Sequence, residues 1–188
     1  MTDADNPWSV AVTVMQIPET GLHREIEAGP GERDAMAALG GLQKVMAAKA
    51  TLDLTPVGEG RVRVQGGVKA RVCQTCVVTL DPVENEVDEA IDLIFAPASQ
   101  IRELAESIDD GSEAETADPP EPIVKGIIDI GRLATDALFL GLDPYPRKPD
   151  AVFEPIVEPV NPDEHPFAAL KALKTPPKPS RSRKSKGD

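Results

Sequence analysis

Two runs of alternating residues, Arg61 to Val72 and Val83 to Phe95, stand on either side of one short break and constrain this chain more than any other feature. In the first run Val62, Val64, Val68, Ala70 and Val72 share one side, and Arg61, Arg63, Lys69 and Arg71 share the other. In the second, Val87, Ile91, Leu93 and Phe95 share a side, with Glu84, Glu86, Asp88 and Asp92 opposite. A period of two is that of a strand with one buried face. The two runs therefore predict an antiparallel hairpin closed by Cys73-Gln74-Thr75-Cys76-Val77-Val78-Thr79-Leu80-Asp81-Pro82. Leu52 and Leu54, followed by a turn at Gly58-Glu59-Gly60, add a preceding strand, and Ser9 to Ile17 reads as another that Pro18 ends. Gly66-Gly67 inside the first run predicts a bulge or sharp bend.

Helical signals are fewer. Glu32 to Leu39 and Leu42 to Ala50, separated by Gly40-Gly41, are rich in Ala, Leu and Met and predict two short helices around a kink. Asp129 is placed to cap a helix whose apolar positions Leu133, Ala134, Ala137, Leu138 and Leu142 recur at helical spacing, until Pro144 to Pro149 prevents continuation. The expected fold is α+β: an antiparallel β meander, as an open sheet or partial barrel, covered by a few short helices. Its expected organisation is a flexible N-terminus over 1–8, one domain over 9–160, a short docking segment over 161–174 and a disordered basic tail over 175–188. Within the domain, residues 107–122 are acidic and proline-rich, a composition that cannot offset the entropy of ordering, and predict a mobile loop.

Charge divides the chain in two. The formal net charge is -12, yet from Lys171 onward seven basic residues meet one acidic residue, which leaves 13 basic against 31 acidic in positions 1–170. An acidic body opposes phosphate binding, while the Lys174 to Lys186 tail can dock on RNA by counterion release. At 3% aromatic content, stacking platforms for bases are scarce. The N-terminus has neither a basic nor an apolar leader region, and no apolar run is long enough to span a bilayer, so the expectation is a cytoplasmic protein without membrane contact.

Cys73 and Cys76 are the only cysteines. Such a pair supplies half of a tetrahedral zinc shell, and the remaining donors, His23 and His165, sit apart in regions that read as loops. No metal and no cofactor are therefore expected, with Cys73 and Cys76 the only weak metal candidates. A redox role is weaker still, because the pair does not join a strand to a helix in a βαβ unit. The stripe Arg61, Arg63, Lys69 and Arg71 is open to two readings: it follows a phosphate backbone, or it pairs across the hairpin with Glu84, Glu86, Asp88 and Asp92. Internal pairing is the expectation. Phosphate-binding glycine loops, His-Glu-x-x-His and Gly-x-Ser-x-Gly are all missing from the sequence, so neither an enzyme nor a small-molecule substrate is expected.

Several segments in order resemble the YceD family, the large ribosomal RNA subunit accumulation proteins, in its alphaproteobacterial type. They are Gln65-Gly66-Gly67-Val68-Lys69-Ala70 leading into the cysteine turn, Ile128-Asp129-Ile130-Gly131, Leu142-Asp143-Pro144-Tyr145-Pro146-Arg147-Lys148-Pro149, and His165-Pro166-Phe167-Ala168-Ala169-Leu170-Lys171-Ala172-Leu173-Lys174. The resemblance implies a bacterial, non-enzymatic factor for accumulation or assembly of the large ribosomal subunit and its RNA. Its partner would be large-subunit ribosomal RNA, a pre-ribosomal particle or a ribosomal protein. Some relatives carry a second cysteine group after the covering helix, where this chain has Pro144 to Asp150 and none. Candidate contacts are Arg61, Arg63, Lys69, Arg71, Cys73 and Cys76, with Phe167, Lys171 and Lys174 from the docking segment. The other reading is an acidic adaptor for a basic ribosomal protein or assembly factor.

Overall fold

The computed structural model describes residues 6–101, 119–153 and 170. Two compact units are present, Met1–Val152 and Phe153–Asp188, and every element below belongs to the first. Most of the acidic segment 107–122 lies outside the described residues, as do His165, Phe167, Lys171, Lys174 and the tail over 175–188.

In chain order the elements are β1 (Ala11–Thr13), a 3-10 turn (Val14–Gln16), β2 (Leu22–Glu27), α1 (Pro30–Leu39), β3 (Lys44–Gly58), β4 (Arg61–Thr75), β5 (Pro82–Pro97), β6 (Glu121–Ile123), β7 (Ile127–Asp129) and α2 (Ile130–Leu140). Five strands form one open sheet in the order β2-β3-β4-β5-β6, and β1 with β7 makes a separate antiparallel pair. The first four strands of the sheet are antiparallel neighbours; β6 joins β5 in parallel, Phe95 opposite Glu121 and Pro97 opposite Ile123. The meander thus carries a short parallel edge strand that alternation alone did not indicate.

Alternation decides which side of the sheet is covered. Leu52, Leu54, Val64, Val68, Val72 and Ile91 are buried on one face, where α1 packs on β3 and α2 packs on β4 and β5. Met36 from α1, Ala134 and Leu138 from α2 and Trp8 from the N-terminal segment complete the core. Each large aliphatic side chain enclosed there contributes about 1.5–3 kcal/mol. Trp8 is 1% exposed, so the ordered domain begins before residue 9, inside the stretch expected to be flexible.

Local chemistry fixes both helix starts. Pro30 occupies the first position of α1 and the Glu32 carboxylate accepts from the Gly29 N–H at 2.6 Å. At α2 the Asp129 carboxylate accepts from the Gly131 and Arg132 N–H groups, both at 3.1 Å, as its position predicts. The same carboxylate also holds the N-terminal segment: Asn6 Nδ2 at 2.9 Å, Ser9 Oγ at 2.6 Å and Val10 N at 2.9 Å all donate to it. A Cβ on Gly131 would lie 2.6 Å from the Trp8 carbonyl oxygen, so this close crossing requires glycine.

Four expectations are corrected. The second helix, over Leu42 to Ala50, is instead the first half of β3. A bulge between Val45 and Ala47 places Val45 and Ala48 on the buried face three residues apart, which imitates helical spacing. Ser9 to Ile17 keeps only three strand residues before the 3-10 turn. His23 lies in a strand, β2, opposite Asp53, rather than in a loop. At Gly66-Gly67 pairing runs unbroken on both sides. The glycines answer instead to close backbone approach: a Cβ on Gly66, whose φ is +148°, would lie 2.0 Å from the Thr51 carbonyl oxygen, and one on Gly67 would lie 2.8 Å from that of Glu89.

Candidate functional site

The cysteine turn closes the β4–β5 hairpin at one end of the sheet. Cys76 N–H donates to the Asp81 carbonyl at 2.8 Å and Leu80 N–H to the Cys76 carbonyl at 2.9 Å, with Leu80 at φ +63°. The two thiols do not converge. Cys73 is still within β4, opposite Lys44 and Glu84 on the outer face, half-buried, with Sγ 3.7 Å from Gln43 Oε1. Cys76, three residues on, faces the covered side and is fully buried.

The segment that follows α2 folds over this turn. Gln74, buried, donates through Nε2 to the Asp143 carbonyl at 2.9 Å and accepts through Oε1 from Asn85 Nδ2 at 2.7 Å. Val77 N–H donates to the Pro146 carbonyl at 2.9 Å, and Lys148 Nζ meets the Asp81 carboxylate at 2.9 Å. Around Cys76 Sγ converge the Thr79 hydroxyl, the Lys148 N–H, the Thr79 N–H at 3.4 Å and the Val78 N–H. Led by the Thr79 hydroxyl, these donors bring the thiol down to about 6, against the opposing effect of burial. Lys148 and Thr79 likewise hold the Asp81 carboxyl below its ordinary value. Beside the junction Gly40, Leu42, Gln74, Phe139, Leu142 and Pro144 border an open cleft of about 360 Å³.

Among the described residues no group of three or more His, Cys, Asp or Glu could hold a metal ion; His165 lies outside them. Cys73 is half-buried and Cys76 buried, and the segment facing Cys76 offers it an N–H donor rather than a ligand. His23 is opposite Asp53, which is opposite Gln65, eight residues from Cys73 along β4; at about 3.3 Å per residue that is about 26 Å away.

On the outer face, most of the basic stripe meets acids of the same chain. Arg63 grips Asp92 with two bonds, 2.8 and 2.7 Å; Lys69 meets Asp88 at 3.0 Å and Arg61 meets Glu59 at 2.5 Å. The Asp92 bond raises the Arg63 guanidinium and lowers the Asp92 carboxyl from their usual values. Next to the stripe Lys49 meets Glu25 at 2.9 Å and His23 Nδ1 meets Asp53 at 2.7 Å. Arg71 is the exception: it is exposed opposite Glu86 and makes no ion pair among the described residues.

Residues 64–174 match the family model of the large ribosomal RNA subunit accumulation protein YceD, a span of more than half the chain. The chain belongs to this family. No curated protein and no solved structure gives a match. Membership ties the protein to large ribosomal RNA and gives it a ribosome-related role. No helix among the described residues is long and apolar enough to cross a membrane.

The resembling segments acquire distinct physical tasks in this YceD-family protein. Gln65 to Ala70 lies in β4 at the close approach to Thr51 and Glu89, Ile128 to Gly131 clamps the N-terminal segment to α2, and Leu142 to Pro149 locks onto the cysteine turn. Sequence reasoning missed Gln74, Thr79, Asn85, Asp143 and Lys148 as parts of the junction. The signal was present in the Leu142 to Pro149 motif, but nothing in the chain names the turn as its partner.

Proposed function

We propose that the protein is a non-enzymatic factor for accumulation of the large ribosomal subunit and its RNA, acting by binding rather than by chemistry. Membership of the YceD family carries this reading. It is supported by the use made of the site residues, since the cysteine turn, the polar side chains beside it and the Leu142 to Pro149 segment are engaged with one another in a fixed junction. Contact with RNA then falls to Arg71 on the sheet and to the basic C-terminal tail, with Phe167, Lys171 and Lys174 as candidate contacts beside it. A second reading, an adaptor that holds a basic ribosomal protein or assembly factor, is favoured by one observation. Arg61, Arg63 and Lys69 are paired to acids of this chain, which leaves a body of 31 acidic against 13 basic residues without an open cationic stripe.

The test is made in cells lacking the protein. The ratio of large- to small-subunit ribosomal RNA is expected to fall and to recover with the unaltered gene. Rescue by a folded chain with Arg61→Gln, Arg63→Gln and Arg71→Gln tests the stripe: failure places the contact there, and full rescue removes the stripe from both readings. An unchanged ratio in the deleted strain would overturn the proposal.

A further inference from the structure

The edge of the sheet beyond β5 is long, acidic and only partly used. Of the 16 residues of β5, Phe95–Pro97 alone have a strand neighbour on the side away from β4 among the described residues, and that neighbour, β6, shows that the edge accepts an added strand. The remaining stretch has both its hydrogen-bonding groups and its charge directed outward. Cys76 N–H bonds the Asp81 carbonyl, and Pro82, next along, has no N–H. Alternation along an antiparallel ladder then turns the main-chain N–H and C=O of Glu84, Glu86, Asp88, Ala90 and Asp92 away from β4, toward the open edge. Their side chains share the outer face; Asp88 and Asp92 are engaged by Lys69 and Arg63, whereas Glu84 and Glu86 have no ion pair among the described residues.

The opposite edge differs. β2 has six residues of mixed sign, and its Glu25 and His23 are already paired with Lys49 and Asp53. A row of carboxylates on a sheet edge repels a second copy of the same edge. The same row attracts a strand of opposite charge, because strand addition takes its affinity from main-chain hydrogen bonds and its selectivity from the alternate side chains.

We infer that the β5 edge from Glu84 to Asp92 binds an extended lysine- or arginine-rich peptide segment by strand addition, in line with β6, its cations beside Glu84 and Glu86. This inference rests on the adaptor reading and gives it a location and a ligand chemistry. Basic extensions of proteins have that chemistry; RNA, a polyanion, does not.

The experiment titrates the full chain with a peptide of alternating Lys and Thr while following main-chain amide signals. Two further peptides are N-methylated on one or the other alternating set of residues. The edge predicts that the amides of Glu84, Glu86 and Asp88 move and become protected from exchange. One N-methylated peptide should bind at least about tenfold more weakly, having lost several main-chain bonds, and the other should bind like the parent. Glu84→Lys with Glu86→Lys, its fold checked by the same spectrum, should weaken the parent peptide by about tenfold or more. Equal affinity of the two N-methylated peptides would mean diffuse charge attraction and would overturn the inference. So would a single-stranded RNA that moves the same amides. Failure here leaves the ribosomal RNA ratio in cells unaffected, so the two proposals are separable.

Discussion

Cys76 is a buried sulfur surrounded by donors, and its surroundings are matched to a thiolate. With the thiol lowered from an ordinary value of about 9 to about 6, the unfolded chain takes up a proton first as the pH falls. The contribution to stability is complete above about pH 9, shrinks as pH falls through the interval, and is gone below about pH 6. The melting temperature of the unaltered protein should therefore rise between those limits relative to Cys76→Ser, which has no such group. Thermal denaturation of both proteins across that range checks it, and parallel curves would show that folding does not lower the thiol. Of this site, the cysteine pair and the Leu142 to Pro149 motif were legible in the sequence. Their contact was not, because much of it is made by main-chain groups of Val77, Asp143, Pro146 and Lys148, which any residue type can supply.

Among the elements, β4 is the strand on which the sheet depends, and Gly66 is its tightest point. Gly66→Ala would set a methyl group 2.0 Å from the Thr51 carbonyl and force β3 away, at a cost of about 3 kcal/mol or more. Gly31→Ala in α1, where a Cβ meets nothing within 4 Å, should change stability by no more than about 0.5 kcal/mol. Chemical denaturation of the two variants gives the comparison, and similar losses would refute the close approach. Strand period made the hairpin and its two faces readable, and the Asp129 cap made α2 readable. The start of β3 was not readable, because Ala-rich sequence and the 45/48 spacing favour a helix locally while pairing with β4 decides for a strand. The three-residue β6 is defined by its parallel contact with β5 and leaves no period to detect.

At the scale of the whole molecule, charge separates two kinds of contact. The sheet neutralises most of its own cations, so affinity for RNA should come mainly from the tail and fall steeply with salt. A chain truncated after Leu173 should lose that affinity at low salt while its β5 edge keeps binding a basic peptide; equal RNA affinity before and after truncation would assign the contact to Arg71 and its surroundings. The central claim, that this YceD-family protein works by binding to the large ribosomal subunit in the making, is tested most directly by crosslinking the tagged full chain in cells and identifying its RNA and protein partners separately. The account predicts large-subunit ribosomal RNA in the recovered particles, with protein crosslinks from β5 to lysine- or arginine-rich segments. Recovery of the protein without large-subunit RNA would contradict it.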